Sequence, residues 1–328
     1  MSVTDKPLTE NLMVAQPGAR PEVDVAADLP PLEYDSNSWL TIGHFEADGH
    51  TLDYAFHLLA SKIPGVGTLY ASIVSVTDET TGQFYAQDEI YPPAAVTVAE
   101  SGLDISTPSG YLRGDWDKMQ IHREAPGVVI DTETTAVGFP IYSKGTGRFP
   151  LLGVDVHHYS VPCLRTTGTL AVGGTRYDIT GRGYTWFDRG WQNFNPAATV
   201  KLSWMGVYLD NGEVISLYDT DVPGQEESWA TVLHPDGSQA VIAMEPLDVS
   251  GFWHSERSGQ RYPEHWVARF PEHDAVLDIT PVPLEQEVVA SVPMLHRYEA
   301  ASAVNGTWGG RAVKGHACAH LIGNWGAP

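Results

Sequence analysis

From Leu32 onward, apolar and polar positions alternate with a period of two. In HFEADGHTLDYAFHLL, Leu52, Tyr54, Phe56 and Leu58 share one face, and Thr51, Asp53, Ala55 and His57 share the other. That is the pattern of a half-buried strand, and Asp48-Gly49 between the two runs is a hairpin signal. LYASIVSVTDETTGQFYAQDEIY repeats the form with a turn near Thr80 to Gly82. Further strands are predicted in VVIDTETTAV, HHYSVPCLRTTGTLAV, TRYDITGRGYTWFD, KLSWMGVYLDNGEVISLYDTD, SWATVLHPDGSQAVIAM and GRAVKGHACAHLIGNW. Gly173-Gly174 and Gly309-Gly310 read as hairpin turns, and Asp210-Asn211-Gly212 and Asp236-Gly237 add punctuation. No long run has the 3.6-residue period of a helix, so the expectation is an all-β sandwich or barrel.

The pattern also hints at a duplication. Trp39 precedes a DG hairpin, a long strand and a Gly turn; Trp204 precedes an NG hairpin, a long strand and the Asp236-Gly237 turn. The expected organisation is a flexible, polar, Pro-containing arm over residues 1–30, one β domain over 31–155 and a second over 156–328.

Composition narrows the function. The chain has 328 residues, 42% of them hydrophobic, and a formal charge of −22. Nucleic acid is excluded as a partner because its phosphates need Lys and Arg to neutralise them, and an anionic membrane surface is disfavoured for the same reason. Two cysteines, Cys163 and Cys318, make no disulfide framework. The N-terminal residues show no signal peptide, and no stretch reaches the ~18 apolar residues of a spanning helix, so a cytoplasmic protein without stable membrane insertion is expected. There is no phosphate loop, no G-x-G-x-x-G in a strand–helix context and no G-x-S-x-G elbow. No cofactor is therefore expected.

Candidate chemistry concentrates in Tyr159–Trp191. Tyr184, Trp186, Phe187 and Trp191 crowd Asp188 and Arg189. Such a cluster can line an apolar pocket holding a few polar groups. On an undistorted strand Tyr184, Trp186 and Asp188 share one face, and Phe187, Arg189 and Trp191 share the other. Only one face can line the pocket. His316, Cys318 and His320 also share a face, but a third ligand from one strand is geometrically awkward, so a packed strand is expected there and no metal site.

Three segments, SWLTIGHFEADGHTLDYAFHLL, TTGTLAVGGTRYDITGRGYTWFDRGWQ and RYEAASAVNGTWGGRAVKGHACAHLIG, resemble the carotenoid 1,2-hydratase/AttH-like, lipocalin-like superfamily. The middle block is similar to its S-G-T-L…G-x-x-Y-x-V-x-G-x-x-W-x-D-[HR]-x-[WF] motif. The resemblance implies two lipocalin-like antiparallel units packed together around a pocket for a hydrophobic small molecule. It carries the D-[HR]-x-W motif onto Asp188, Arg189 and Trp191, with Arg189 where the carotenoid hydratases have His. The family's Tyr and Asp on the next hairpin match Tyr218 and Asp219, which cannot both face a pocket without a bulge. Trp186, Trp39, His44, Tyr54, Trp204 and Tyr208 are the expected substrate-binding residues. The implied activity is a cofactor-independent hydratase acting on a C=C bond of an isoprenoid-like molecule. A cyclase of secondary metabolism and a non-catalytic carrier are the alternatives.

Overall fold

A computed structural model of the protein describes residues 20–195 and 200–326. Among these residues the regular structure is nearly all β, with short 3-10 turns the only helix, and it forms two curled antiparallel sheets. The first runs from Ser36 to Gln192 and the second from Lys201 to Gly323. In the first, Ser36–Ala47 lies between its hairpin partner His50–Ile63 and the sheet's last strand, Thr175–Gln192. In the second, Lys201–Leu209 lies in the same way between Val214–Thr220 and Arg311–Gly323. The repeated strand order makes the duplication a property of the topology.

The turns explain the registers. Ala47 pairs with His50 across Asp48-Gly49, whose φ values are 52° and 83°. Positive φ at both central residues is the type I′ turn whose twist matches that of the strands. The pairs Val172/Thr175 and Trp308/Arg311 close in the same way over Gly173-Gly174 and Gly309-Gly310.

Each sheet curls around its own core. Tyr54, Phe56 and Leu58 fill the first with Trp39, Phe187 and Trp191; Met205, Val207, Trp266 and Tyr298 belong to the second. A third apolar layer, including Leu40, Ile42, Trp186, Trp204, Tyr218 and Trp229, packs the sheets against each other. The central strands are therefore buried on both faces.

Three expectations change. The domain boundary is not at 155/156: Val154–Val172 and Thr175–Gln192 both belong to the first sheet, because the second of them pairs with Ser36–Ala47. The unit boundary falls between Gln192 and Lys201. The expected arm does not extend to residue 30. Residues 1–19 lie outside the described residues, but Val23, Val25 and Leu29 are buried in the first core. Trp39 Nε1 donates to the Leu29 carbonyl at 2.7 Å and the Tyr159 hydroxyl to the Val25 carbonyl at 3.1 Å. Finally, Trp39 and Trp204 occupy equivalent strands but opposite faces, Trp39 in the first core and Trp204 between the sheets.

Candidate active site between the two sheets

Strand alternation turns one face of each central strand toward the seam between the sheets, and polar side chains sit among the apolar ones on those faces. His44, Asp53 and His57 come from the first hairpin; His316, Cys318 and His320 come from the last strand. Register places His44 opposite Asp53. The His44 Nδ1 lies 2.9 Å from Asp53 Oδ1 and 3.8 Å from Glu79 Oε1. The His44 ring stacks on His316, with centroids 3.7 Å apart, and His316 stacks on Tyr208 at 4.7 Å.

The charges in this cluster are unequal. Burial and the neighbouring Asp53 charge raise the Glu79 carboxyl to about 8, so it is a protonated acid at neutral pH. Burial opposes the Asp53 charge too, but its contacts with His44 pull that carboxyl below the ordinary range. Burial likewise opposes the His44 cation, and Asp53 outweighs it, leaving His44 raised. Burial and the adjacent His44 depress His316 to about 3, so it is a neutral ring. Asp53 Oδ2 is buried and has no fixed donor; a protonated Glu79 beside it is the group that can satisfy it. One proton shared by two carboxyls is the form of an acid–base pair.

A second polar group lies along the same seam. His57 Nε2 is 2.7 Å from Ser38 Oγ, and Arg297 donates to His57 Nδ1 at 2.6 Å. His320 Nδ1 lies 2.8 Å from Glu299 Oε2. Burial, Arg297 and His320 hold His57 well below its ordinary value. The sets His57, Glu299, His320 and His44, Asp53, Glu79 each bring three ligand-type atoms within 4.8 Å of one another. In the first set both His57 nitrogens are engaged, and the Arg297 cation would oppose a metal. His316 and His320 share a face as expected but turn to separate partners. Neutral His57 and His316 contribute stability above pH ~6.5, their unfolded value, and lose it as pH falls toward their depressed folded values. The raised Glu79 and His44 have the opposite dependence over the same range, so the test is a difference: between pH 7 and pH 4.5 a His316→Phe variant should lose less thermal midpoint than wild type, and equal losses in a pH-resolved melt would contradict this burial.

The third part is aromatic. Trp186 meets Trp204 at 5.5 Å and Tyr208 at 5.6 Å, both edge-on. A Cβ at Gly206 would come within 3.2 Å of the Trp186 ring, so glycine leaves that ring its room. Asp188 sits in this wall, 4% exposed. Its Oδ1 accepts from Ser160 Oγ at 2.5 Å and Trp186 Nε1 at 2.6 Å, with His158 Nε2 at 3.6 Å. Tyr218 stacks on Trp229 at 4.5 Å, and burial raises its hydroxyl pKa well above the ordinary range.

The structure divides the residues expected from sequence. Asp188, Trp186, His44, Trp204, Tyr208 and Tyr218 meet in the seam. Arg189, Trp191, Trp39 and Tyr54 point into the first core instead, because strand alternation separates Arg189 from Asp188. Arg189 is sandwiched between Trp39 and Trp191, 4.5 and 4.8 Å from their ring centroids. Asp219 turns away from Tyr218 and holds Ser228 Oγ at 2.6 Å and the Leu247 amide at 3.2 Å. Asp53, Glu79 and His316 were not expected as site residues. The position of Asp53 opposite His44 follows from counting outward from the Asp48-Gly49 turn. The expected buried pocket for a hydrophobic small molecule is a closed seam here: the void beside Asp53 measures about 10 Å³, far below the ~300 Å³ of a ligand cavity. A larger hollow of about 380 Å³ lies at the polar hairpin tips around Asp48, His50 and Tyr177, away from these acids.

A family model described as AttH-like matches residues 23–323. Over 179 residues the chain is 27% identical to a protein named dehydratase asqC from Emericella nidulans, covering 52% of this chain and 51% of that one. Over 207 residues it is 23% identical to kievitone hydratase of Fusarium solani subsp. phaseoli, covering 60% of this chain and 58% of that one. The matches thus span about half to three fifths of these relatives. The crystal structure of kievitone hydratase from Nectria haematococca superposes with a TM-score of 0.84 over 99% of this chain and 98% of that one, at 16% identity, a likeness of fold.

Proposed function

The chain belongs to the AttH-like family, and from that premise we propose that it is a hydratase or dehydratase acting in the seam on a hydrophobic small molecule. One observation carries this reading: the Asp53 and Glu79 carboxyls both meet His44 where the seam's aromatic wall begins, an arrangement that favours a protonated Glu79. Hydrating an alkene needs a proton delivered to carbon. Glu79 gives that proton, and the electron pair of the double bond forms the new C–H bond. Tyr184, Tyr208 and Trp186 offer ring faces and edges, and a ring face turned to the carbocation stabilises it without attacking it. Water then forms the C–O bond and loses a proton to Asp53, so the two carboxyls again hold one proton between them. Dehydration is the same sequence reversed. The closed seam must part to admit substrate, and its closure keeps bulk water from the cation.

The test is incubation with dimethylallyl-substituted phenols and with their tertiary alcohols, read by mass spectrometry. A change of 18 Da supports the reading. An isomeric product of unchanged mass would make the protein a cyclase, and tight binding with no product would make it a carrier. Activity should survive exhaustive chelation; stoichiometric zinc whose removal abolishes turnover would turn the His44, Asp53, Glu79 group into a metal site.

Asp188 has a different part in this scheme. As an acceptor for Ser160 and Trp186 it anchors the aromatic wall. Asp188→Asn keeps an oxygen for both donors, so turnover per folded molecule should stay within about tenfold of wild type. A loss of two orders or more, with the fold intact, would make Asp188 the acid instead.

A further inference from the structure

We infer that the small void between Asp53 and Glu299 is the seat of the water that the reaction adds or releases, an inference that rests on the lyase reading above. The void is about 10 Å³ in size, close to the ~10–15 Å³ that one water needs. Its wall draws on both units: Asp53, Ser75 and Thr77 from the first, Glu299 and Cys318 from the second. A buried water also needs two to four polar partners. Asp53 Oδ2 is buried with no fixed donor, and beside the Glu79 proton a carboxylate oxygen keeps a second lone pair, the kind of acceptor such a water satisfies. Ser75 and Glu299 supply further polar groups, while the Thr77 hydroxyl is already committed to Gln286 Oε1 at 2.8 Å. Ile42, Ala55, Ala301 and Tyr54, whose hydroxyl is engaged with Thr185 Oγ1 at 3.3 Å, make up the rest of the wall, so a water here faces few competitors.

The position suits the chemistry. Asp53 is the ionised member of the carboxyl pair, and its other oxygen is held by His44 at 2.9 Å. A water donating to Oδ2 keeps an oxygen lone pair for the cation. As the C–O bond forms, the O–H electron pair stays on oxygen and the proton passes to Asp53. In the dehydration direction the leaving hydroxyl takes that proton and departs as water into the same void. The acid, the water and the base then form one continuous set, and the substrate needs to displace no water on entry.

Two isotopes separate the steps. Deuterium uptake from D₂O into the alkene reports the reversible proton transfer at Glu79, and ¹⁸O uptake from H₂¹⁸O reports water addition. The substrate is a dimethylallyl-substituted phenol. Cys318→Leu fills the void with apolar volume, and Ser75→Ala keeps the void but removes one partner. In Cys318→Leu, deuterium uptake should stay within about threefold of wild type while ¹⁸O uptake falls about a hundredfold. In Ser75→Ala, ¹⁸O uptake should fall about tenfold with deuterium uptake unchanged. If both rates fall together in both variants, or neither moves, the void does not hold the reacting water. If Cys318→Leu fails to fold, Ser75→Ala decides alone. A wild-type protein that takes up neither isotope from any alkene tested overturns the lyase reading itself, and the water seat with it.

Discussion

Glu79→Gln should lower turnover by two to four orders of magnitude, the usual worth of a positioned acid, while leaving the protein folded. Glutamine keeps the size of the side chain and can still donate to Asp53 Oδ2, but it has no proton to give to carbon. The wild-type rate should fall with pH on the alkaline side. Glu79 is raised to about 8, so its acid form is fully populated well below pH 8 and is lost as pH rises through it. Asp53→Asn gives the sharper test. The Asp53 charge is, after burial, the main cause of the raised Glu79 value. Removing that charge should move the alkaline limb to lower pH as well as slow the reaction. A merely structural Asp53 would lower stability and leave the position of the limb alone. Glu79→Gln and Asp53→Asn variants that both fold and turn over at wild-type rates would remove the acid–base pair from the mechanism.

How far the sequence could lead to this pair is visible residue by residue. Alternation over Thr51–Leu58 assigned Tyr54, Phe56 and Leu58 to one face correctly, and the two-residue turn fixed the register that sets His44 against Asp53. What alternation could not show is that the polar face is also covered. Asp53 and His57 read as solvent-facing until a second sheet is packed on them. Glu79 follows the end of the next strand; the register sets Asp53 opposite Thr77, so Glu79, two residues on, is its diagonal neighbour on the same face, a placement legible only once those two strands are paired. In Tyr184–Trp191 the density of aromatics marked a real structural centre, but it serves two layers at once. Trp186 and Asp188 line the seam while Arg189 and Trp191 close the first core. The arm was misjudged because charges and prolines surround Val23, Val25 and Leu29, hiding three apolar anchors with no periodicity of their own.

Arg189→Met should be the most destabilising of these substitutions. The guanidinium is fully buried, and burial lowers its pKa to about 10. Nε donates to the Asp28 carbonyl at 2.8 Å. NH2 donates to the Pro30 carbonyl and Asn37 Oδ1, both at 2.8 Å, and NH1 to the Gly190 carbonyl at 2.7 Å. The guanidinium thus ties the 22–30 segment to the sheet's central strands. Methionine fills similar volume but strands these acceptors, and each unmade buried hydrogen bond costs ~1–3 kcal/mol. Some acceptors will find water or shift, so a net loss of about 3–5 kcal/mol is expected, the range for removing one partner of a buried charged contact. Arg189→Lys keeps the charge but cannot span the fork, so it should lie between the two. Denaturant unfolding gives the magnitude. Limited proteolysis gives the mechanism: cleavage should appear early within residues 22–30 of Arg189→Met, ahead of global unfolding. Turnover per folded molecule should remain near wild type, since Arg189 faces away from the seam. Full stability combined with a large loss of turnover would be the opposite result, and it would return Arg189 to the chemistry that its place beside Asp188 first suggested.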